Sequence, residues 1–205
     1  MKFNLLFCGM LALAIPTVMV AEPPPPGNSN ALKNAVVLII RHAEKPDEGN
    51  GLSAAGEARA MAYVSYFKNF KIEGQPLKLD CLFAAADSKA SHRPRLTLEP
   101  TGKALGLGIN DRFKAGDFQG LADEIKSQPH GQTILIAWHH GQIPSLLRAL
   151  GADPDQVIPN RKWPDDVFGW LIQLRYDSDG RLVEVKRIDE KLMPEDADQP
   201  ALAAP

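Results

Sequence analysis

The sequence predicts a three-layer α/β/α sandwich: a mostly parallel sheet with helices on both faces, finished by a C-terminal β-hairpin. Three observations carry this reading. Ala35 to Ile40 (AVVLII) and Thr133 to Trp138 (TILIAW) are continuous apolar runs, the mark of strands buried on both faces. Helix signals alternate with strand signals along the chain. Near the end, Phe168 to Tyr176 and Leu182 to Ile188 flank Asp177-Ser178-Asp179-Gly180, a hairpin signal.

The elements follow in order. After the first strand, Ser53 can N-cap a helix from about Ala54 to Phe70, with Met61, Val64, Tyr63 and Phe67 on its apolar side. Leu79 to Ala84 (LDCLFA) reads as a short strand that buries Cys81. A helix begins at Arg93-Pro94, because proline fits the first turn, and ends near Gly106. Phe118 to Lys126 is a third helix. The Thr133 to Trp138 strand leads into a helix from Ile143 to Leu150, which Gly151 stops. These elements define one domain over residues 31–192.

Residues 1–21 read as a secretory signal, with Lys2 at the start, an apolar stretch from Leu5 to Ile15, a break at Pro16 and Ala21 before the cut. The competing reading is an uncleaved anchor, since about 20 residues just suffice to span a membrane. Pro16 weighs against that. Glu22 to Asn30 (EPPPPGNSN) is a linker favouring polyproline II. Met193 to Pro205 is rich in Pro, Ala and acid, and is expected to fray. The expected location is therefore periplasmic or secreted, with no integral membrane domain once the leader is removed.

Composition narrows the function. The 205 residues are 44% hydrophobic and 23% charged with a net charge of −2, which is globular and excludes wholesale disorder or a collagen-like chain. So balanced a charge argues against nucleic acid as a partner. Cys8 and Cys81 are too few for a disulfide scaffold. A domain of this size buries roughly 70% of its unfolded surface and needs no such staple.

The polar residues collect where strands end. In parallel α/β sheets, sites form at the carboxyl ends of the strands. The first strand runs into Arg41-His42-Ala43-Glu44-Lys45, the second into Asp87 to Arg93, and the third into His139-His140-Gly141. Four of the five histidines lie in these loops, and His130 alone lies elsewhere. Such a set suits a phosphoryl group. Arg41 and Arg93 can bind its oxygens through charge-assisted bonds, and helix N-termini add N–H donors. A histidine between two guanidinium groups stays neutral at pH 7 and can attack phosphorus. A second histidine can stabilise the equatorial oxygens. Glu44, His92 and Lys89 are candidate substrate contacts in the same loops.

These residues resemble a known family. Val37-Leu38-Ile39-Ile40-Arg41-His42-Ala43-Glu44-Lys45 resembles the opening Arg-His-Gly/Ala motif of the histidine phosphatase superfamily, the phosphoglycerate-mutase-like phosphatases. Leu52-Ser53-Ala54-Ala55-Gly56 resembles the Leu-Ser/Thr-x-x-Gly stretch that follows there. Arg93-Pro94-Arg95-Leu96-Thr97 resembles the family's Arg-x-x-x-Thr helix start, and Leu135 to Gly141 its second-histidine strand. The similarity runs from Val36 to Ile188. It implies a phosphoglycerate-mutase-like fold, and His42 as a nucleophile that forms a phosphohistidine. It implies Arg41, Arg93 and one of His139 and His140 as the rest of the pocket, with no metal and no organic cofactor.

Two departures stand out. The family has one histidine where this chain has two. The His-Gly dipeptide favours His140, the preferred reading, while Ile143, Leu146 and Leu147 at +4, +7 and +8 favour His139. Many members also carry a glutamate that protonates the leaving oxygen, and no clear equivalent occurs here. Asp111, Asp117 and the spare histidine are the candidates. The expectation is an exported phosphomonoesterase or diphosphatase acting on a phosphorylated small molecule or a cell-envelope phosphate. Its rivals are a non-catalytic phospho-ligand or partner-binding module and, behind it, a metal-dependent hydrolase built on His42, Glu44, His139 and His140.

Overall fold

The computed structural model describes residues 32–198. The expected leader and linker, within residues 1–31, and residues 199–205 lie outside the described residues. Strand β1 (Val36–Arg41) leads through a loop to α1 (Ala54–Lys68), a two-stranded ribbon of β2 (Lys71–Ile72) and β3 (Gln75–Pro76), and β4 (Cys81–Ala85). Then come α2 (Arg93–Leu105), β5 (Ile109–Phe113), α3 (Phe118–Lys126), β6 (Thr133–Trp138), α4 (Ile143–Ala149), β7 (Trp170–Tyr176) and β8 (Leu182–Asp189). The main sheet has six strands in the order β5-β4-β6-β1-β7-β8. The first four run parallel, and β7 and β8 are antiparallel. The expected sandwich and its terminal hairpin are both present.

Alternation along the buried strands divides the core into two layers. Val37 and Ile39 of β1, with Ile134 and Ile136 of β6, pack with Leu121 and Ile125 of α3 and Leu146 and Leu147 of α4. Leu38 and Ile40, with Leu135 and Ala137, pack with Tyr63 and Phe67 of α1 and Leu98 of α2. Continuous apolar runs in β1 and β6 serve both layers at once.

Capping follows the sequence. The Ser53 hydroxyl accepts the Gly56 amide at 3.1 Å and starts α1. Pro94 sits in the first turn of α2, which closes at Gly106 in the left-handed conformation. Asp117 caps α3 through the Gly120 amide at 3.1 Å. Gly56 has a separate role: a Cβ there would lie 2.4 Å from the Glu44 carbonyl, so only glycine lets α1 approach the loop after β1.

Several expectations need correction. Met61 is 62% exposed, because the buried face of α1 runs through Gly56, Arg59, Ala60, Tyr63 and Phe67 instead. The sequence reading does not include β5, whose residues INDRF alternate poorly and form a half-buried edge beside β4. It also omits the β2–β3 ribbon. Cys81 is only half-buried at the start of β4, where its thiol donates to Gln132 Oε1. Nor does the tail simply fray from Met193. Pro194–Asp198 forms a 3-10 turn, and Asp196 is buried against Arg59. No helix among the described residues is long and apolar enough to cross a membrane.

Candidate active site

The register between β1 and β6 builds the centre of the site. Arg41 pairs with Trp138, and the His42 amide donates to the Trp138 carbonyl at 2.9 Å. His42 and His139 therefore leave adjacent strands at the same level. Their rings lie 5.1 Å apart, edge to face. The His140 ring is farther, at 6.5 Å. The sequence preference for His140 as the nearer partner thus meets a geometry in which His139 stands closer to His42.

His42 is buried, and its Nδ1 lies 2.8 Å from the Ala43 carbonyl oxygen. A carbonyl only accepts, so Nδ1 carries the proton and Nε2 the lone pair. Burial, helped by His139, Arg41 and Arg93, lowers the pKa of His42 to about 3 despite the opposing Ala43 bond. Burial lowers that of His139 to about 4, with Arg93 as its leading charged neighbour. Both rings are therefore neutral at pH 7 in the unliganded site. The Ala43 amide donates to Thr97 Oγ1 at 2.8 Å, and that hydroxyl donates to the Arg93 carbonyl. The loop that carries His42 is thereby tied to the first turn of α2.

Arg41 is fully buried and organises the opposite wall. Its Nη1 donates to the carbonyls of Pro164, Asp165 and Val167 at 3.1, 2.8 and 2.9 Å. Its guanidinium carbon sits 3.8 Å from the centre of the Phe168 ring. Phe168 in turn packs 6.4 Å from His42. Burial lowers the Arg41 pKa to about 10, so it stays charged at neutral pH. Its Nε is buried without a partner, as is that of Arg93. Two unpaired, shielded donors on two cations beside a neutral histidine suit an anion with several oxygens.

The remaining candidates lie in varied places. His140 Nε2 donates to Asp165 Oδ1 at 2.9 Å, and its Nδ1 is buried with no partner. Glu44 turns its carboxylate to Arg59, which donates from Nε at 2.8 Å. His92 caps α2 without a side-chain cap bond, beside Asn50. Lys89 is exposed on the turn closed by Ser88 and Ser91. Asp111 lies on β5, three strands from β1, near Arg95. Asp117 is engaged as the cap of α3. Neither aspartate is brought to His42. Among the described residues no group of three or more His, Cys, Asp or Glu side chains is placed to hold a metal ion.

Sequence reasoning did not reach Asp165, Phe168 or Arg59 as parts of this region. Phe168 was expected to open β7, yet the strand begins at Trp170 and leaves Phe168 to cover Arg41. A burial pattern could have flagged Arg59, since it falls on the same helix face as Tyr63 at i and i+4.

No protein-family model matches the chain, and no curated protein matches it. Among solved structures, the chain is similar to a phosphoglycerate mutase from Plasmodium falciparum, with 14% identity, a TM-score of 0.51, and coverage of 83% of this chain and 97% of that one. It is also similar to a protein from Agrobacterium tumefaciens assigned as the phosphohistidine phosphatase SixA, with 20% identity, a TM-score of 0.47, and coverage of 75% and 98%. A third is the protein histidine phosphatase SixA complexed with tungstate, with 16% identity, a TM-score of 0.46, and coverage of 76% and 97%. The chain has a phosphoglycerate-mutase-like fold.

Proposed function

We propose that this chain is an exported phosphohydrolase that works through a phosphohistidine on His42. The observation that carries the proposal is the buried His42 ring, its Nε2 lone pair fixed by the Ala43 carbonyl, beside His139 and two arginines with unpaired donors. The motif order around Arg41-His42, Arg93 and His139-His140 supports the same chemistry.

The substrate's phosphoryl oxygens bind Arg41 and Arg93. His42 Nε2 attacks phosphorus in line, the bond to the leaving oxygen breaks, and water then hydrolyses the phosphoenzyme. His139 meets the transferring group's equatorial charge, which raises its proton affinity as the phosphate enters. A phosphomonoester or diphosphate, free or on a cell-envelope molecule, fits this chemistry. Residues 1–21 support export, and residues 22–30 a spacer before the catalytic domain.

The test is phosphate release from an aryl phosphate and from a diphosphate, in EDTA, for the wild type and His42→Ala. Release by the wild type that is lost in the variant supports the proposal. No release above the variant on either compound favours a phospho-ligand-binding module, and release that needs added zinc contradicts the mechanism.

A further inference from the structure

We propose, building on the phosphohydrolase reading, that His140 held by Asp165 is the acid that protonates the leaving group and the base that then activates water. The juxtaposition is specific. Arg41 donates to the Asp165 carbonyl at 2.8 Å, which fixes the backbone of Asp165 against the phosphate pocket. The Asp165 carboxylate then reaches His140 Nε2 at 2.9 Å. That leaves Nδ1, buried and without a partner, as the ring atom available for proton transfer.

The two neighbouring histidines are differently placed. His139 is the closer to His42 and feels Arg93 most strongly, so it belongs with the phosphoryl oxygens. His140 stands farther out, 6.5 Å from His42, with its side chain 29% exposed. In the unliganded site burial, then Arg41 and Lys45, lower the His140 pKa below the ordinary imidazole value, against the hydrogen bond and charge of Asp165, which raise it. A bound phosphate adds negative charge, which, like Asp165, favours imidazolium. Glu44 is committed to Arg59, and the two aspartates that the sequence suggested lie elsewhere, Asp111 beside Arg95 and Asp117 at the cap of α3.

The steps balance. As the N–P bond forms from His42 Nε2 and the P–O bond breaks, the proton on His140 Nδ1 passes to the departing oxygen. Water then attacks phosphorus and gives its proton to Nδ1. The N–P bond breaks, its electron pair returns to Nε2, and His140 is again imidazolium.

The experiment compares kcat/KM, which reports phosphoryl transfer and not hydrolysis of the shared phosphoenzyme, for an alkyl phosphate, whose leaving group needs a proton, and for dinitrophenyl phosphate, whose leaving group does not. In His140→Gln the alkyl-to-dinitrophenyl ratio falls by about 10²-fold, and in Asp165→Asn by about 10-fold. Asp111→Asn and Asp117→Asn keep the wild-type ratio. Equal losses on both esters in His140→Gln would overturn the assignment while leaving the phosphohistidine reading intact. A wild type inactive on both, or a His42→Ala variant as active as wild type, would overturn that underlying reading and this assignment with it.

Discussion

Arg59 on α1 and Asp196 in the C-terminal segment face each other through two parallel hydrogen bonds of 2.9 and 2.7 Å, with both side chains buried. The amides of Leu192 and Met193 also donate to the Asp196 carboxylate. The carboxylate sits where a Cβ on Gly169 would lie, 2.6 Å away. Arg59 meanwhile donates to Glu44, two residues beyond His42. One guanidinium therefore joins the last described turn, Pro194–Asp198, to the loop that carries His42.

Asp196→Ala leaves the Arg59 charge buried with Glu44 as its remaining carboxylate, so we expect a loss of about 3–5 kcal/mol. Urea unfolding at pH 7 measures it, and a loss below about 1 kcal/mol would show that the pair is not structural. The pH dependence has a definite sign. Burial raises the Asp196 pKa, but Arg59 and the two amides outweigh it, and the net shift is downward. The stabilisation is thus present above the ordinary carboxylate range and is lost as pH falls through the lowered value.

Glu190 behaves in the opposite way. It is buried, accepts the Tyr63 hydroxyl at 3.0 Å, and burial raises its pKa from 4.5 to about 8. The folded state then holds a proton that the unfolded chain releases between those values, so Glu190 makes stability decline as pH rises through that window. Glu190→Gln should flatten the decline between pH 5 and 8. An unchanged slope in urea-unfolding series across that range would refute the assignment.

The histidine pair predicts a spectroscopic signature. The His42 ring should titrate near pH 3 and the His139 ring near pH 4, both far below 6.5. NMR of ring protons, assigned with His42→Ala and His139→Ala, follows each. A His42 titration above pH 6 in the unliganded protein would remove the case for a neutral, pre-formed nucleophile.

Arg41→Lys keeps the charge but cannot reproduce three carbonyl bonds and the stack on Phe168. We expect kcat/KM to fall by about 10²-fold or more, with faster amide hydrogen exchange in residues 164–168. Loss of activity with unchanged exchange would mean that Arg41 serves the substrate alone and does not organise the loop.

Local signals carried much of this architecture in the sequence. Continuous apolar runs announced β1 and β6, Ser53 and Pro94 marked two helix starts, and Asp177 to Gly180 marked the hairpin. The strand-end rule brought Arg41, His42, Arg93, His139 and His140 into view before any coordinates. What stayed hidden depends on contacts distant in sequence. Asp165 matters because Arg41, over a hundred residues earlier, bonds its carbonyl. Arg59 and Asp196 look like two surface charges until the fold buries them together. The polar strand β5 is held by its neighbour β4 and not by its own pattern.

The central claim is that phosphate passes through His42. The most direct measurement is rapid acid-free quenching of the enzyme during turnover of a ³²P-labelled phosphate ester, followed by mapping of the label. We predict an acid-labile, base-stable phosphoryl group on the peptide containing His42, formed at a rate at least equal to turnover and absent from His42→Ala. Turnover without such a label, or a label that persists in His42→Ala, would contradict it.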